Sequence, residues 1–200
     1  DMRLRPYGGS GPLSISLESA MAYYESLGQA WERQALIKAR AAAGDLDLGQ
    51  QFLERIGSFV FPRYFDDETL EEIRQVKQQM ETEVARQGRL DREVKLGRGG
   101  IRDIEFTVQT LQILNGGRIS ELRVASTLDA IDALQHHALL RPFEADTLAS
   151  NYNFLRKVEH RLQIKGGHQV HTLPRAPAEL DEFAQRLGYA SGESFMADYR

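Results

Sequence analysis

A mainly helical fold is predicted: a bundle-like helical domain preceded by a two-strand remnant of an α+β domain. Three observations carry this. Period-two alternation of apolar and polar residues is confined to the first seventeen or so positions. Helical periodicity, punctuated by Gly and Pro, fills the remainder. The chain also has no cysteine, so no disulfide framework substitutes for a packed core. With 200 residues, 42% hydrophobic and 27% charged, it can support one or two domains.

The first strand is expected at Asp1–Pro6, where Asp1, Arg3 and Arg5 share one face and Met2 and Leu4 the other. Pro6 ends it, because proline cannot donate to a ladder. A glycine-rich connection, Tyr7 to Gly11, leads to a second strand in which Leu13, Ile15 and Leu17 alternate with Ser14 and Ser16. Helices are predicted at 18–27, 29–43 and 47–59. Pro62 then punctuates the chain, and Asp66 or Asp67 is a candidate cap for a helix at 67–87 with a buried stripe of Leu70, Ile73, Val76, Met80 and Val84. Further helices are expected at 101–115, 121–138, 143–165 and 178–187, and one more begins at Phe195. The predicted division is 1–62, the C-terminal part of an α+β domain, and 63–200, a helical domain. Both ends read as lying inside a longer protein.

The formal net charge of −4 argues against nucleic acid or an anionic membrane as a partner. No apolar run approaches the roughly 18 residues of a membrane span. Lack of cysteine fits a reducing compartment, and a cytoplasmic setting is expected. No histidine pair has the spacing and partner carboxylate of a zinc site, and no Gly-x-Ser-x-Gly elbow is present.

Three clusters are candidates for chemistry. On the first strand, a carboxylate at Asp1 beside Arg3 and Arg5 suits a metal ion and the phosphates it holds, and equally suits the charged outer face of an ordinary strand. Residues 95–106 (KLGRGGIRDIEF) place Gly97, Gly99 and Gly100 before a helix. There Arg98, Gly99, Gly100 and Arg102 can contact a phosphate, and the alternative is a simple turn. Between Arg86 and Arg102 six basic residues face two acidic ones, a local net charge of +4. The spacing matches neither the Walker nor the dinucleotide pattern. Asp103 is expected as a first-turn charge or an arginine partner, since on a helix it diverges from Glu105. In residues 31–40 (WERQALIKAR), Arg33, Ile37 and Arg40 share a helical face, which can point to phosphates or to solvent with Trp31 in the core.

Taken in order, DMRLRP-YGGSGPL, WERQALIKAR, KLGRGGIRDIEFTVQTLQ, NYNFLRKVEHRLQ and HTLP resemble the bacterial glutamine synthetase adenylyltransferase/deadenylylase family over nearly the whole chain. That resemblance implies tandem nucleotidyltransferase domains of the DNA polymerase β type, each followed by a helical region. It implies Mg2+ held by three carboxylates, ATP or ADP as substrate or product, and glutamine synthetase and the PII signal protein as partners. By position Asp1 matches the third carboxylate, and Arg3, Arg5, Lys38 and Arg40 match basic positions near the phosphates. The KLGRGGIRDIEF form followed by NGGR is similar to the half that removes AMP by phosphorolysis. The half that attaches AMP usually reads Asp-Pro-Gly-Gly at this turn. The Gly-Ser…Asp-x-Asp motif of the family is not among these residues, so the stretch alone is expected to be inactive. The alternatives are a helical docking module for glutamine synthetase or PII, part of the adenylylating half, and part of the related PII uridylyltransferase.

Overall fold

The computed structural model describes residues 4–64, 91–166 and 170–200, together with 71, 74, 75, 78 and 82. Among the described residues there are eight α-helices and no strand. The helices are α1 (Leu17–Ser26), α2 (Ala30–Leu36), α3 (Leu46–Val60), α4 (Ile101–Gly116), α5 (Thr127–His136), α6 (Pro142–Gly166), α7 (Pro177–Arg186) and α8 (Gly192–Tyr199). The mainly helical class is therefore as expected.

The predicted hairpin is not formed by the described residues. Leu4–Gly11 is a tight turn structure with a 3-10 helix at Gly8–Ser10. Its closure comes from Arg5, whose guanidinium donates to the carbonyls of Gly9, Gly11 and Pro12 at 3.0–3.4 Å. The alternation over 13–17 misled because Ser16 is an N-cap rather than a strand residue. Its hydroxyl accepts the Ser19 N–H at 3.2 Å, and Leu17 opens α1. Asp1, Met2 and Arg3 lie outside the described residues. So do the Asp66 and Asp67 cap and the proposed stripe of the 67–87 helix, although 71, 74, 75, 78 and 82 are helical.

Two other boundaries differ. The helix expected at 29–43 stops at Leu36, where the Ala39 amide folds back on the Leu36 carbonyl at 3.0 Å. High alanine propensity in 39–43 does not continue it. The helix expected at 121–138 starts only at Thr127, after a 3-10 turn at Ser120–Leu122, because Ser126 caps it by accepting the Asp129 N–H at 3.3 Å.

The chain divides into two compact units. One comprises Asp1–Lys77 with Phe106–Ala145, the other Gln78–Glu105 with Asp146–Arg200. In the first unit α1 and α2 pack on α3. Met21, Tyr23, Tyr24, Ile56, Phe59, Val60, Phe61 and Ile113 form its core. Aromatic edges tie it together: Tyr24 lies 5.2 Å from Phe59 and 5.1 Å from Tyr23. Glu32 is buried, yet its carboxylate accepts from the Tyr23 hydroxyl at 3.1 Å and from the Gln29 N–H at 2.8 Å, the latter capping α2. Gly117 is dictated by close approach, since a Cβ there would sit 2.2 Å from the Pro62 carbonyl oxygen. Gln112, also buried, donates to the Leu122 and Val124 carbonyls at 2.7 and 2.8 Å and so fixes the loop ahead of α5.

In the second unit α7 and α8 pack together through Leu180, Phe183, Ala184, Phe195 and Met196. Phe195 is fully buried among Phe154, Phe183, Tyr189 and Tyr199, with ring centroids 5.4–6.2 Å away.

α5 ends with Ala138 in the left-handed region, at φ 56°, while Leu139 and Leu140 both donate to the Leu134 carbonyl. A side chain is strained there, and glycine is the usual occupant. Ala138→Gly is expected to stabilise the chain by roughly 0.5–1 kcal/mol. Thermal unfolding followed by circular dichroism checks this, and a lowered midpoint would contradict it.

Candidate functional site

The glycine-rich turn of the second unit is assembled before any ligand is considered. Glu93 pairs with Thr172 in an isolated antiparallel bridge. Val94 donates to the His171 carbonyl at 2.8 Å, Leu173 donates to that of Arg92 at 2.9 Å, and the Thr172 hydroxyl donates to the Glu93 carboxylate at 3.0 Å. The Arg92 guanidinium donates to the Pro174 carbonyl. From this anchor the chain turns through Gly97–Gly100 into α4. Gly99 is left-handed at φ 69°. A Cβ on Gly100 would meet the carbonyl oxygens of Gly97, Val94 and Lys95 at 2.8–2.9 Å, so only glycine fits.

The amides of this turn are bonded within the chain. Gly100 donates to Gly97, Ile101 to Val94, Arg102 to Lys95 and Asp103 to Gly100, all at 2.9–3.1 Å. The Gly99 N–H donates to the Asp103 carboxylate at 2.8 Å, which makes Asp103 the first-turn charge expected of it. Glu105 is engaged separately, accepting from the Tyr152 hydroxyl at 3.2 Å. Gly99 and Gly100 thus shape the turn, and an anion here would meet side-chain cations rather than a row of open amides.

A cavity of about 510 Å³ adjoins the turn, lined by Asp91, Arg98, Gly99, Gly100, Leu155, Tyr199 and Arg200. Arg98 and Arg200 bring positive charge to it and Asp91 negative. Burial, with Glu93 and Asp91 nearby, pushes the Tyr199 phenol up to about 12, so it enters this cavity as a neutral hydrogen-bonding group. Arg102 stands exposed on the first turn of α4. Behind the bridge, buried Glu159 accepts from Arg156 at 2.6 Å and lies 3.2 Å from His171 Nδ1. Among the described residues no three His, Asp or Glu side chains cluster to hold a metal ion.

Of the other predicted residues, Arg5, Lys38 and Arg40 lie in the first unit, and Asp1 and Arg3 lie outside the described residues. Arg5 is committed to the loop carbonyls described above. Lys38 and Arg40 are exposed just beyond α2. Arg33 and Arg40 do not share a helical face, since α2 has ended. Instead the Arg33 guanidinium lies 4.2 Å above the Phe59 ring and donates to the Phe59 carbonyl. Trp31 is not in the core: it is 38% exposed and borders a cleft of about 250 Å³ with Leu4, Glu32, Ala35, Leu36, Lys38 and Ala39. Sequence reasoning missed this cleft, and Tyr199, Leu155 and Asp91 as well. The Arg156–Glu159 pair was legible as an i,i+3 spacing, but the long-range pairing of 93 with 172 leaves no local signal.

The chain was compared with known proteins. Residues 1–55 match the family described as glutamate-ammonia ligase adenylyltransferase, and residues 74–200 match GlnD PII-uridylyltransferase. A protein of Rhodopseudomonas palustris (strain HaA2), named bifunctional glutamine synthetase adenylyltransferase/adenylyl-removing enzyme, is 45% identical over 99% of the chain. Proteins of the same name from Agrobacterium fabrum and Rhizobium meliloti are each 44% identical over 98% of it. The chain belongs to this adenylyltransferase/adenylyl-removing family. It spans about a fifth of the length of these relatives, 20% in each case. The helical segment of this family member that carries the glycine turn is the part shared with the uridylyltransferase family.

Two outcomes follow for this member of the family. Gly100→Ala is expected to destabilise the second unit by about 1–3 kcal/mol, because three backbone oxygens must move. A urea midpoint that does not fall would contradict the carbonyl cage. The second outcome concerns alkaline pH. Burial pushes the phenols of Tyr24 and Tyr199 up to about 12 from an ordinary value of 10.0. The folded state then holds protons that the unfolded chain releases, so this stability is full below pH 10 and is lost as pH rises through about 12. Helicity measured against pH, with Tyr199→Phe as control, checks the sign: the variant should lose less stability over that window.

Proposed function

We propose that this chain is part of the enzyme that controls glutamine synthetase by reversible adenylylation, a nucleotidyltransferase, and that it lies in the adenylyl-removing half. The observation that carries the first part is the identity of 45% over 99% of the chain with a protein of that printed name. The Gly97-Arg98-Gly99-Gly100 form of the turn favours the removing half. In that reaction an oxygen of inorganic phosphate forms a bond to the phosphorus of adenylyl-tyrosine. The bond from phosphorus to the tyrosine oxygen breaks, that oxygen takes a proton, and ADP and unmodified glutamine synthetase are released.

The roles proposed for residues here are electrostatic. Arg3, Arg5, Lys38, Arg40, Arg98 and Arg102 meet phosphate oxygens, with Gly99 and Gly100 holding Arg98 in place. Arg98 has support in lining a cavity, whereas the Arg5 guanidinium is engaged by loop carbonyls. Asp1 is the carboxylate this stretch contributes to a magnesium site. One carboxylate does not complete such a site, so the stretch alone is proposed to be inactive, and magnesium and ATP or ADP enter with the rest of the enzyme. Residues 1–62 are read as the end of a polymerase β-type nucleotidyltransferase domain and 63–200 as its helical companion. The two family matches, which part between residues 55 and 74, support that division. A cytoplasmic setting belongs to the same proposal, and no helix among the described residues is long and apolar enough to cross a membrane.

A second reading has its own observation. Residues 74–200 match a family named for a different reaction, which favours a docking role for the helical region, toward glutamine synthetase or the PII signal protein. Retention of either protein by the chain, but not by one with 63–200 scrambled, tests it.

For the main proposal, Asp1→Asn in the full-length enzyme is expected to lower phosphate-dependent release of ADP from adenylylated glutamine synthetase by about a hundredfold or more. Undiminished release, with the protein folded, would remove Asp1 from the reaction.

A further inference from the structure

Apart from Lys38, the cleft beside α2 is lined by residues that the roles above do not use. Its walls among the described residues are Leu4, Trp31, Ala35, Leu36 and Ala39, with Glu32 and Lys38 as the polar members. Glu32 is 2% exposed, and its carboxylate already accepts from the Tyr23 hydroxyl and the Gln29 amide. Its charge is therefore satisfied from within, and the surface left for a visitor is apolar. Trp31 presents an indole to that surface, and Lys38 brings an exposed ammonium to its edge.

Size narrows the visitor. About 250 Å³ equals the volume of roughly eight water molecules and falls below the range of whole drug-sized ligands. It accommodates one flat ring system and leaves the rest of the ligand outside. An aromatic ring favours stacking on the indole, and the ammonium favours an anionic tail. We propose that this cleft takes the base of a nucleotide against Trp31, with its phosphates directed toward Lys38. The inference rests on the nucleotide reading of the proposed function and assigns Trp31, Leu36 and Ala35 to base recognition.

Trp31 is the single tryptophan of the chain, so its fluorescence reports the cleft directly. The experiment titrates the 200-residue chain with ADP, adenosine and inorganic phosphate in turn. The expected result is a saturable change with ADP, a weaker one with adenosine, and none with phosphate alone. Lys38→Gln should weaken ADP about tenfold and leave adenosine unchanged, whereas Ala35→Leu, which narrows the cleft from an exposed helical position, should weaken both about tenfold at unchanged helicity. No response to ADP, an equal response to phosphate alone, or full ADP affinity in a folded Ala35→Leu variant would overturn the proposal. Product inhibition of the full-length enzyme by ADP separates the two readings. Inhibition unchanged by Ala35→Leu, with release of ADP intact, overturns the cleft and leaves the proposed function standing.

Discussion

The carbonyl cage around Gly100 is the constraint on which the glycine-turn region depends. Val94, Lys95 and Gly97 aim their oxygens at the position a Cβ would occupy. The first two also accept the opening amides of α4, from Ile101 and Arg102. A single glycine thus lets the chain cap its own helix with preceding backbone rather than with a side chain. The cost is that the helix terminus loses its amides as anion donors. A glycine-rich turn before a helix reads as a phosphate cradle when its amides are open. Here the same composition produces a closed cap, and any anion chemistry passes to Arg98 and Arg102.

The first unit solves a different problem, a buried carboxylate. Glu32 on α2 is 2% exposed, a position that would cost several kcal/mol without partners. Tyr23 from α1 and the Gln29 amide supply them. The same Tyr23 ring stands edge-on to Tyr7 at 4.7 Å and to Tyr24, so the polar contact and the aromatic network stabilise one arrangement. Arg33, one position along, turns to the Phe59 ring and carbonyl on α3. Successive residues of one short helix are therefore spent on packing α2 against α1 and α3. That leaves Trp31, on the remaining face, half open.

Much of this was legible in the amino-acid order, and the failures have identifiable causes. Helices α1, α3, α4, α6 and α7 appear within a residue or two of their expected ends, because Gly28, Asp45, Gly116, Pro142 and Pro177 punctuate them chemically. The strand at 13–17 was misread because five alternating residues fit a strand and an N-cap equally well, and Ser16 took the second role. The overlong second helix followed alanine propensity past Leu36, where tertiary fixation of Arg33 and Ile37 had already ended it. Lys38 and Arg98 were named as candidates from resemblance and local charge. The neighbours of Arg98, Leu155 and Tyr199, were not, since that cavity is made by residues distant in sequence, and Trp31 was placed in the core although it is exposed.

The distribution of satisfied charge decides what kind of chemistry the described residues can perform. In the second unit the buried carboxylates, Glu93 and Glu159, have partners close at hand: Thr172 for one, Arg156 for the other. Acids held this way fix segments in place, and their lone pairs are already in use. The cavity at the glycine turn sets Arg98 and Arg200 with Asp91 beside the neutral phenol of Tyr199, and the cleft at α2 sets Lys38 beside Trp31. Cations beside an aromatic ring favour an anion that carries a ring, which is the chemistry proposed for the cleft at Trp31.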